Sequence, residues 1–158
     1  MISRRIALAA AVVLATASFA DGTPGTDVLG PDARAEVALS PPQVTGRVRL
    51  LHQYRREPPS RIAGALVAFD PGSRTAWHSH PFGQTLIVTK GTGFVQHWGG
   101  RREVMREGDV VWTPPGVRHW HGASPTESMT HVAIVETDDG RTVEWFEPVT
   151  DRQYAGEQ

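Results

Sequence analysis

The sequence contains no cysteine and a single lysine, and both shortages narrow its chemistry. Without Cys the chain has no disulfide framework, no thiolate ligand for a metal and no Cys nucleophile. Lys90 is the only residue that can form a Schiff base, because every other basic residue is Arg. We therefore expect the seven histidines to carry any metal or acid–base chemistry.

The sequence also lacks a dominant charge and a long amphipathic helix. A formal net charge of -1 gives no electrostatic footprint for nucleic acid. The 158 residues fit one ordinary domain, and the 16 Gly and 12 Pro favour many short strands joined by turns. No window of helical period occurs after residue 42.

Residues 1–20 have the pattern of a secretory signal peptide. Arg4 and Arg5 precede an uncharged apolar run over 6–19, and the small residues Ser18 and Ala20 occupy the −3 and −1 positions of a cleavage site. The run is too short to span a bilayer. We expect export to the periplasm or medium, by the general or the twin-arginine route, and no membrane contact after cleavage.

The rest of the chain divides into three segments. Residues 21–42 are predicted to be a flexible linker, with a short helical turn near 33–39, because they hold few large apolar residues. Residues 43–149 are predicted to form the folded domain. Residues 150–158 form a tail in which Thr150 caps a short turn.

Within residues 43–149 short apolar or alternating runs recur between turn signals, which predicts an antiparallel all-β sandwich or barrel. The predicted strands are 44–51, 62–69, 75–80, 84–89, 93–98, 101–106, 110–113, 129–136 and 143–146.

Four of the histidines form two pairs that suit metal binding. His78 and His80 are two residues apart, so on a strand both point to one face, and His119 and His121 repeat this spacing. Gln84 begins the next apolar run after His80. Imidazoles and one carboxamide oxygen make a plausible ligand set for a divalent ion with positions left open.

The spacing around these residues resembles the two sequence motifs of the cupin family. In the first, Gly72 is followed after five residues by His78-Ser79-His80, after three more by Gln84 and after six more by Gly91. In the second, Gly108 is followed after five residues by Pro114-Pro115-Gly116 and after two more by His119. The departures are Gln84, where the general motif has Glu, and Ala123, where it ends in Asn.

The resemblance implies a small single-domain cupin, an antiparallel β-barrel or jelly roll with the metal inside its mouth. The family's ligand positions fall on His78, His80, Gln84 and His119. The stretches 71–88, 108–123 and 129–134 further resemble small bacterial manganese cupins with hydroxynitrile lyase activity, which share the Gln ligand. This narrower resemblance implies Mn²⁺, with Fe²⁺, Zn²⁺ or Ni²⁺ as alternatives, and places His121 and His131 in the cavity.

The resemblance also suggests roles for individual residues. Gln84 gives the metal a dipole rather than a charge, which leaves the ion a stronger Lewis acid. We expect His131 to act as the base on a cyanohydrin-like or small hydroxy-carbonyl substrate, with His121 as its acid partner. Thr75, on the strand that bears His78, is a candidate for hydrogen-bonding the substrate.

Two other functions remain open at this point: a cupin dioxygenase that uses a metal and O₂, and a binding or sensing protein without turnover. Fold does not select among them. The resemblance also implies a homodimer, which pairing through the predicted strand 44–51 would support.

Apolar and aromatic residues of the predicted strands are expected to have packing roles. If Ala65, Val67, Leu86 and Val88 face inward, they give the cavity an apolar lining. Trp77, Trp112 and Trp120 are expected to pack the barrel or an interface, and Arg101-Arg102 are expected to be solvated charges of a hairpin.

Overall fold

The computed structural model describes residues 36–56 and 58–157, and the single positions Thr26, Val28 and Gly30. The predicted signal peptide lies outside these residues, so cleavage and export stay predictions. None of the helices in the described part of the chain is long and apolar enough to cross a membrane.

Twelve strands and one short helix make up the described chain, which confirms the predicted antiparallel all-β fold. The strands follow the sheet order β1-β3-β4-β11-β7-β10-β5-β2, and every pairing is antiparallel. The sheet curls into a half-barrel. The elements are β1 (Val37–Ala38), β2 (Val44–Thr45), β3 (Val48–Arg55), β4 (Ile62–Phe69), β5 (Arg74–Thr75), β6 (His78–Ser79), β7 (Gln84–His97), β8 (Glu103–Arg106), β9 (Val110–Thr113), β10 (His119–Ala123), β11 (Met129–Glu136), β12 (Glu144–Trp145) and α1 (Asp151–Ala155).

The longest strand, β7, joins what the sequence predicts as two strands. Its first half pairs with β11 and β9, and its second half pairs with β10 and β8. At the change of partners Gly91 has a φ of 78° and lies so close to Ser128 O that a Cβ there would be 1.9 Å from it. Only Gly fits such a close, left-handed corner, so the predicted turn is a bend within one strand.

The ends of the domain differ from the prediction at one point and match it at another. Val37–Ala38 pair with β3 as a strand, so the described part of 33–39 contains no helical turn. At the other end Thr150 caps α1 as predicted. Its hydroxyl accepts from Gln153 N at 3.2 Å, and the Gln153 side chain accepts in return from Thr150 N at 2.9 Å.

Strand parity decides which side chains fill the interior. Alternate residues of β4, β7 and β11 are buried, and Ala65, Val67, Leu86 and Val88 belong to the main core cluster, which confirms their inward orientation. Trp77 and Trp120 pack in a second cluster that Tyr154 of α1 covers. Trp112 instead lies 57% exposed on the outer face of the sheet.

Candidate metal centre

Three predicted ligands converge at one end of the half-barrel. The ligand nitrogens of His78, His80 and His119 all lie within 4.8 Å of one another, and all three side chains are buried. His78 on β6 is the direct partner of His119 on β10, so the sheet itself sets the two rings side by side. Their ring centroids are 4.3 Å apart.

Backbone carbonyls fix the orientation of all three rings. Nδ1 of His78 faces Ala76 O at 3.0 Å, that of His119 faces Val117 O at 3.0 Å, and that of His80 faces Thr142 O at 2.6 Å. A carbonyl accepts only, so each Nδ1 donates and each Nε2 keeps a lone pair. Hydrogen bonds of this kind orient the imidazole ligands of protein-bound metals.

Gln84 adds a fourth electron-pair donor. It opens β7 immediately after the Gly83 turn, is buried, and places Oε1 2.9 Å from His119 Nε2. Two lone pairs facing each other at this distance do not form a hydrogen bond, and Nε2 of His80 is buried without any partner. A divalent cation satisfies all of these atoms together, so the residues fit the predicted metal.

The electrostatics of the site keep the ligands neutral. Burial lowers the pKa of His119 to about 4, and burial with the charges of neighbouring imidazoles lowers the pKa of His78 well below its ordinary range. Burial also lowers the pKa of His80. The rings are therefore neutral at neutral pH, and the lone pair on each Nε2 is free for a metal. The four proposed ligands contain no carboxylate, so a bound ion keeps its full charge.

A second histidine pair lies directly beside these ligands. The His121 ring centroid is 5.1 Å from that of His78, and His121 Nδ1 lies 3.3 Å from His131 Nε2. Both rings are buried, and Phe69 packs against each of them. His131 shares its inward face with Ala133, as the strand parity predicts. Nδ1 of His131 has no hydrogen-bond partner.

Thr75 has a different immediate role from the predicted one. Its hydroxyl accepts from His121 N at 3.1 Å and donates to His121 O at 3.2 Å. The hydroxyl proton is thereby used on the backbone of His121, and Thr75 fixes the position of that residue. Direct contact of Thr75 with a substrate stays a prediction. In such a contact the Thr75 hydroxyl could only accept a hydrogen bond, through its second lone pair.

An open cleft of about 190 Å³ leads to His119 between β9 and the end of the β7–β8 hairpin. His97 and Arg101 line it together with Val95, Val111 and Thr113. No role is predicted from sequence for His97, and Arg101 is predicted there to be a solvated charge. No motif surrounds either residue, and only the curl of the hairpin brings them to the site.

We predict that acid destabilises the metal-free protein because of these buried histidines. Burial lowers the pKa of His131 from 6.5 to about 4, so between these values the unfolded chain binds the extra proton and the folded chain does not. Above pH 6.5 the free energy of unfolding does not depend on His131, because the residue is neutral in both states. As the pH falls toward 4, the free energy of unfolding decreases by roughly 3 kcal/mol on account of this residue. Urea unfolding of chelator-treated protein across this range measures the loss. The free energy of unfolding of a His131→Gln variant should decrease less over the same pH range. An equal decrease in both proteins would contradict the lowered pKa of His131.

Comparisons with known proteins agree with this geometry. Residues 65–135 match the family model described as "Cupin domain". The chain is 56% identical over 110 residues to the (R)-mandelonitrile lyase of Granulicella tundricola, covering 70% of this chain and 84% of that protein.

Solved structures show the same fold. A cupin-like protein from Thermotoga maritima superposes with a TM-score of 0.70 at 35% identity, covering 84% of this chain and 98% of that one. A polyketide cyclase from Streptomyces resistomycificus has a TM-score of 0.63 at 15% identity, covering 82% and 91% of the two chains, and supports the fold alone. From the motifs, the convergent histidines and these relatives together, the chain belongs to the cupin family.

Proposed function

We propose that this cupin is a divalent-metal-dependent lyase that cleaves or forms the carbon–carbon bond of cyanohydrins or related small hydroxy-carbonyl compounds. The observation that carries the proposal is the buried His121–His131 pair, with 3.3 Å between its facing nitrogens, directly beside a metal site without a carboxylate. The 56% identity to an (R)-mandelonitrile lyase supports the choice of substrate class. Export through residues 1–20 is part of the proposal and rests on the sequence pattern.

His78, His80, His119 and Gln84 would hold the ion, and Mn²⁺ is the ion we propose. When bound, it supplies Lewis acidity that polarises a substrate oxygen. Because three imidazoles and an amide are neutral, they do not weaken that charge as a Glu ligand would.

The paired histidines supply both proton transfers that the reaction needs. Burial lowers the pKa of His131 to about 4 and that of His121 well below its ordinary range, so both rings are neutral. One ring donates its N–H to the other ring in the hydrogen bond between His131 Nε2 and His121 Nδ1. Of the two nitrogens outside this bond, His131 Nδ1 and His121 Nε2, one then carries a proton and the other a lone pair. The pair thus offers a base and an acid at once, and the shared hydrogen bond can exchange their roles.

This arrangement matches the balance of cyanohydrin cleavage. The hydroxyl proton passes to the basic nitrogen of the pair as the bond between the carbinol carbon and the nitrile carbon breaks. The electron pair of that bond leaves with cyanide, which takes a proton from the acidic nitrogen. An aldehyde and hydrogen cyanide result, and the pair ends with as many protons as it began with.

Release of benzaldehyde and cyanide from mandelonitrile, followed with manganese-loaded protein, tests the proposal. We expect turnover that is lost after chelation and restored by Mn²⁺. Turnover no faster than in the chelated control would contradict it. An oxygen electrode in the same samples tests the dioxygenase alternative, and ligand-induced thermal stabilisation without turnover would favour the binding protein.

A further inference from the structure

Trp145 lies beside the proposed ligands but has no part in the proposed proton relay. On β12 it is the register partner of His78 on β6, and His78 is in turn the partner of His119 on β10. Directly paired residues of antiparallel strands point to the same face of the sheet. The indole of Trp145 therefore shares the face that holds the proposed metal ligands.

Trp145 packs on a metal ligand instead of in the core. Its ring centroid is 5.0 Å from that of His78, with 43° between the two ring planes. Its chain neighbour Phe146 packs against the second core cluster, whereas Trp145 belongs to neither core cluster of the described chain. His78 is only 2% exposed and the indole is half-buried, so Trp145 is the outer of the two rings.

The ring of His78 is held between two others. β6 pairs with β10 and with β12, so His119 contacts the ring from one strand and Trp145 from the other. The hydrogen bond between Nδ1 and Ala76 O fixes one atom of the imidazole. Packing by both neighbours also fixes the plane of the ring, and that plane decides where Nε2 points.

The same segment of chain orients a second ligand. Thr142, three residues before Trp145, accepts the hydrogen bond from His80 Nδ1 at 2.6 Å. Just after Trp145, the backbone N–H of Phe146 donates to Trp77 O at 2.8 Å, which anchors the segment next to His78. Residues 142–145 therefore support two of the three imidazoles, although they lie far along the chain from either motif.

We propose that Trp145 is a positioning residue of the metal centre, whose indole holds the His78 ring in the orientation in which Nε2 binds the ion. The large flat surface of an aromatic side chain restrains a neighbouring ring in a way that an aliphatic side chain does not. This inference rests on the metal centre of the proposed function, but it does not depend on the lyase activity.

Titration of the full chain with Mn²⁺, followed by electron paramagnetic resonance, tests the inference. The signal of free Mn²⁺ gives the dissociation constant, and the spectrum of the bound ion reports the geometry of its ligands. We expect Trp145→Ala to bind Mn²⁺ about 10- to 100-fold more weakly, the range typical of losing a residue that orients a ligand, and to change the bound spectrum. Trp145→Phe keeps a ring and should bind within about threefold of the natural protein, with Trp145→Leu between the two.

The matched control is Trp98→Ala. Trp98 is 50% exposed and packs edge-on against Trp77 at 4.9 Å between ring centroids, and none of its ring contacts in the described chain is with a proposed ligand. Its Mn²⁺ affinity should equal that of the natural protein. Circular dichroism verifies that each variant is folded, and if Trp145→Ala does not fold, the comparison of Trp145→Leu with Trp145→Phe replaces it.

Natural affinity in Trp145→Ala, or equal affinities in Trp145→Leu and Trp145→Phe, would overturn the inference. An equal loss in Trp98→Ala would attribute the effect to aromatic packing in general and would overturn it as well. A natural protein that binds no Mn²⁺ would refute the metal centre, and with it both the proposed function and this inference.

Discussion

Replacing His131 with Gln should lower kcat for mandelonitrile cleavage by about 10²- to 10⁴-fold, the range typical of losing a general acid or base. Gln can still form a hydrogen bond with His121 Nδ1, now 3.3 Å from His131 Nε2, but it cannot carry a proton between two sites. His131 is not one of the proposed ligands. Metal content should therefore remain unchanged while turnover falls, and parallel elemental analysis and steady-state kinetics measure both.

The matched control for this experiment is His52→Gln. His52 lies on the outer face of β3 opposite Leu66, away from the ligands. We expect its turnover to stay within about twofold of the natural protein. A His131→Gln enzyme with full metal and nearly full kcat would show that His131 only fills the barrel interior, and the proton relay would have to be abandoned.

Replacing His80 with Ala should remove the metal and, with it, nearly all turnover. The substitution deletes the Nε2 lone pair that is buried without a partner, and it also leaves Thr142 O without its donor. Losing one of the few ligands weakens metal binding steeply, so we expect less than about a tenth of the natural metal content and a fall in activity of at least about 10³-fold.

Gln84→Glu should keep the metal and lower kcat, because a carboxylate reduces the effective charge of the ion.

The control here is His97→Ala, which changes an exposed histidine that lines the cleft but is not a proposed ligand. It should retain the metal. If His80→Ala retained it in full as well, the proposed ligand set would be wrong. If Gln84→Glu lost the metal, the site would require the amide group itself and not only an oxygen that donates an electron pair.

The ligand positions could be predicted from sequence because their geometry is local. His78 and His80 share a strand face by parity alone, and the motif intervals carry Gln84 and His119 to the same end of the barrel. The inward faces of β4 and β11 follow from the same parity, as the burial of Val67 and His131 shows.

Other features depend on contacts between residues far apart in the sequence. The hydrogen bond from His80 Nδ1 to Thr142 O joins residues 62 positions apart, and no local sequence pattern predicts it. The sequence does not predict the strand His119–Ala123, because two histidines and a Gly do not form a strand-like pattern. Arg102 is expected from sequence to be a solvated charge, but its Cζ lies 3.9 Å from the centroid of the Phe94 ring. The two residues meet only when the β7–β8 hairpin folds.

Anomalous diffraction from crystals of the manganese-loaded protein shows which side chains hold the metal. We expect one strong peak per chain, about 2.0–2.3 Å from Nε2 of His78, His80 and His119 and close to Oε1 of Gln84, because Nδ1 of each ring donates to a backbone carbonyl. The absence of a peak among these four residues, or a peak bonded to other side chains, would contradict it.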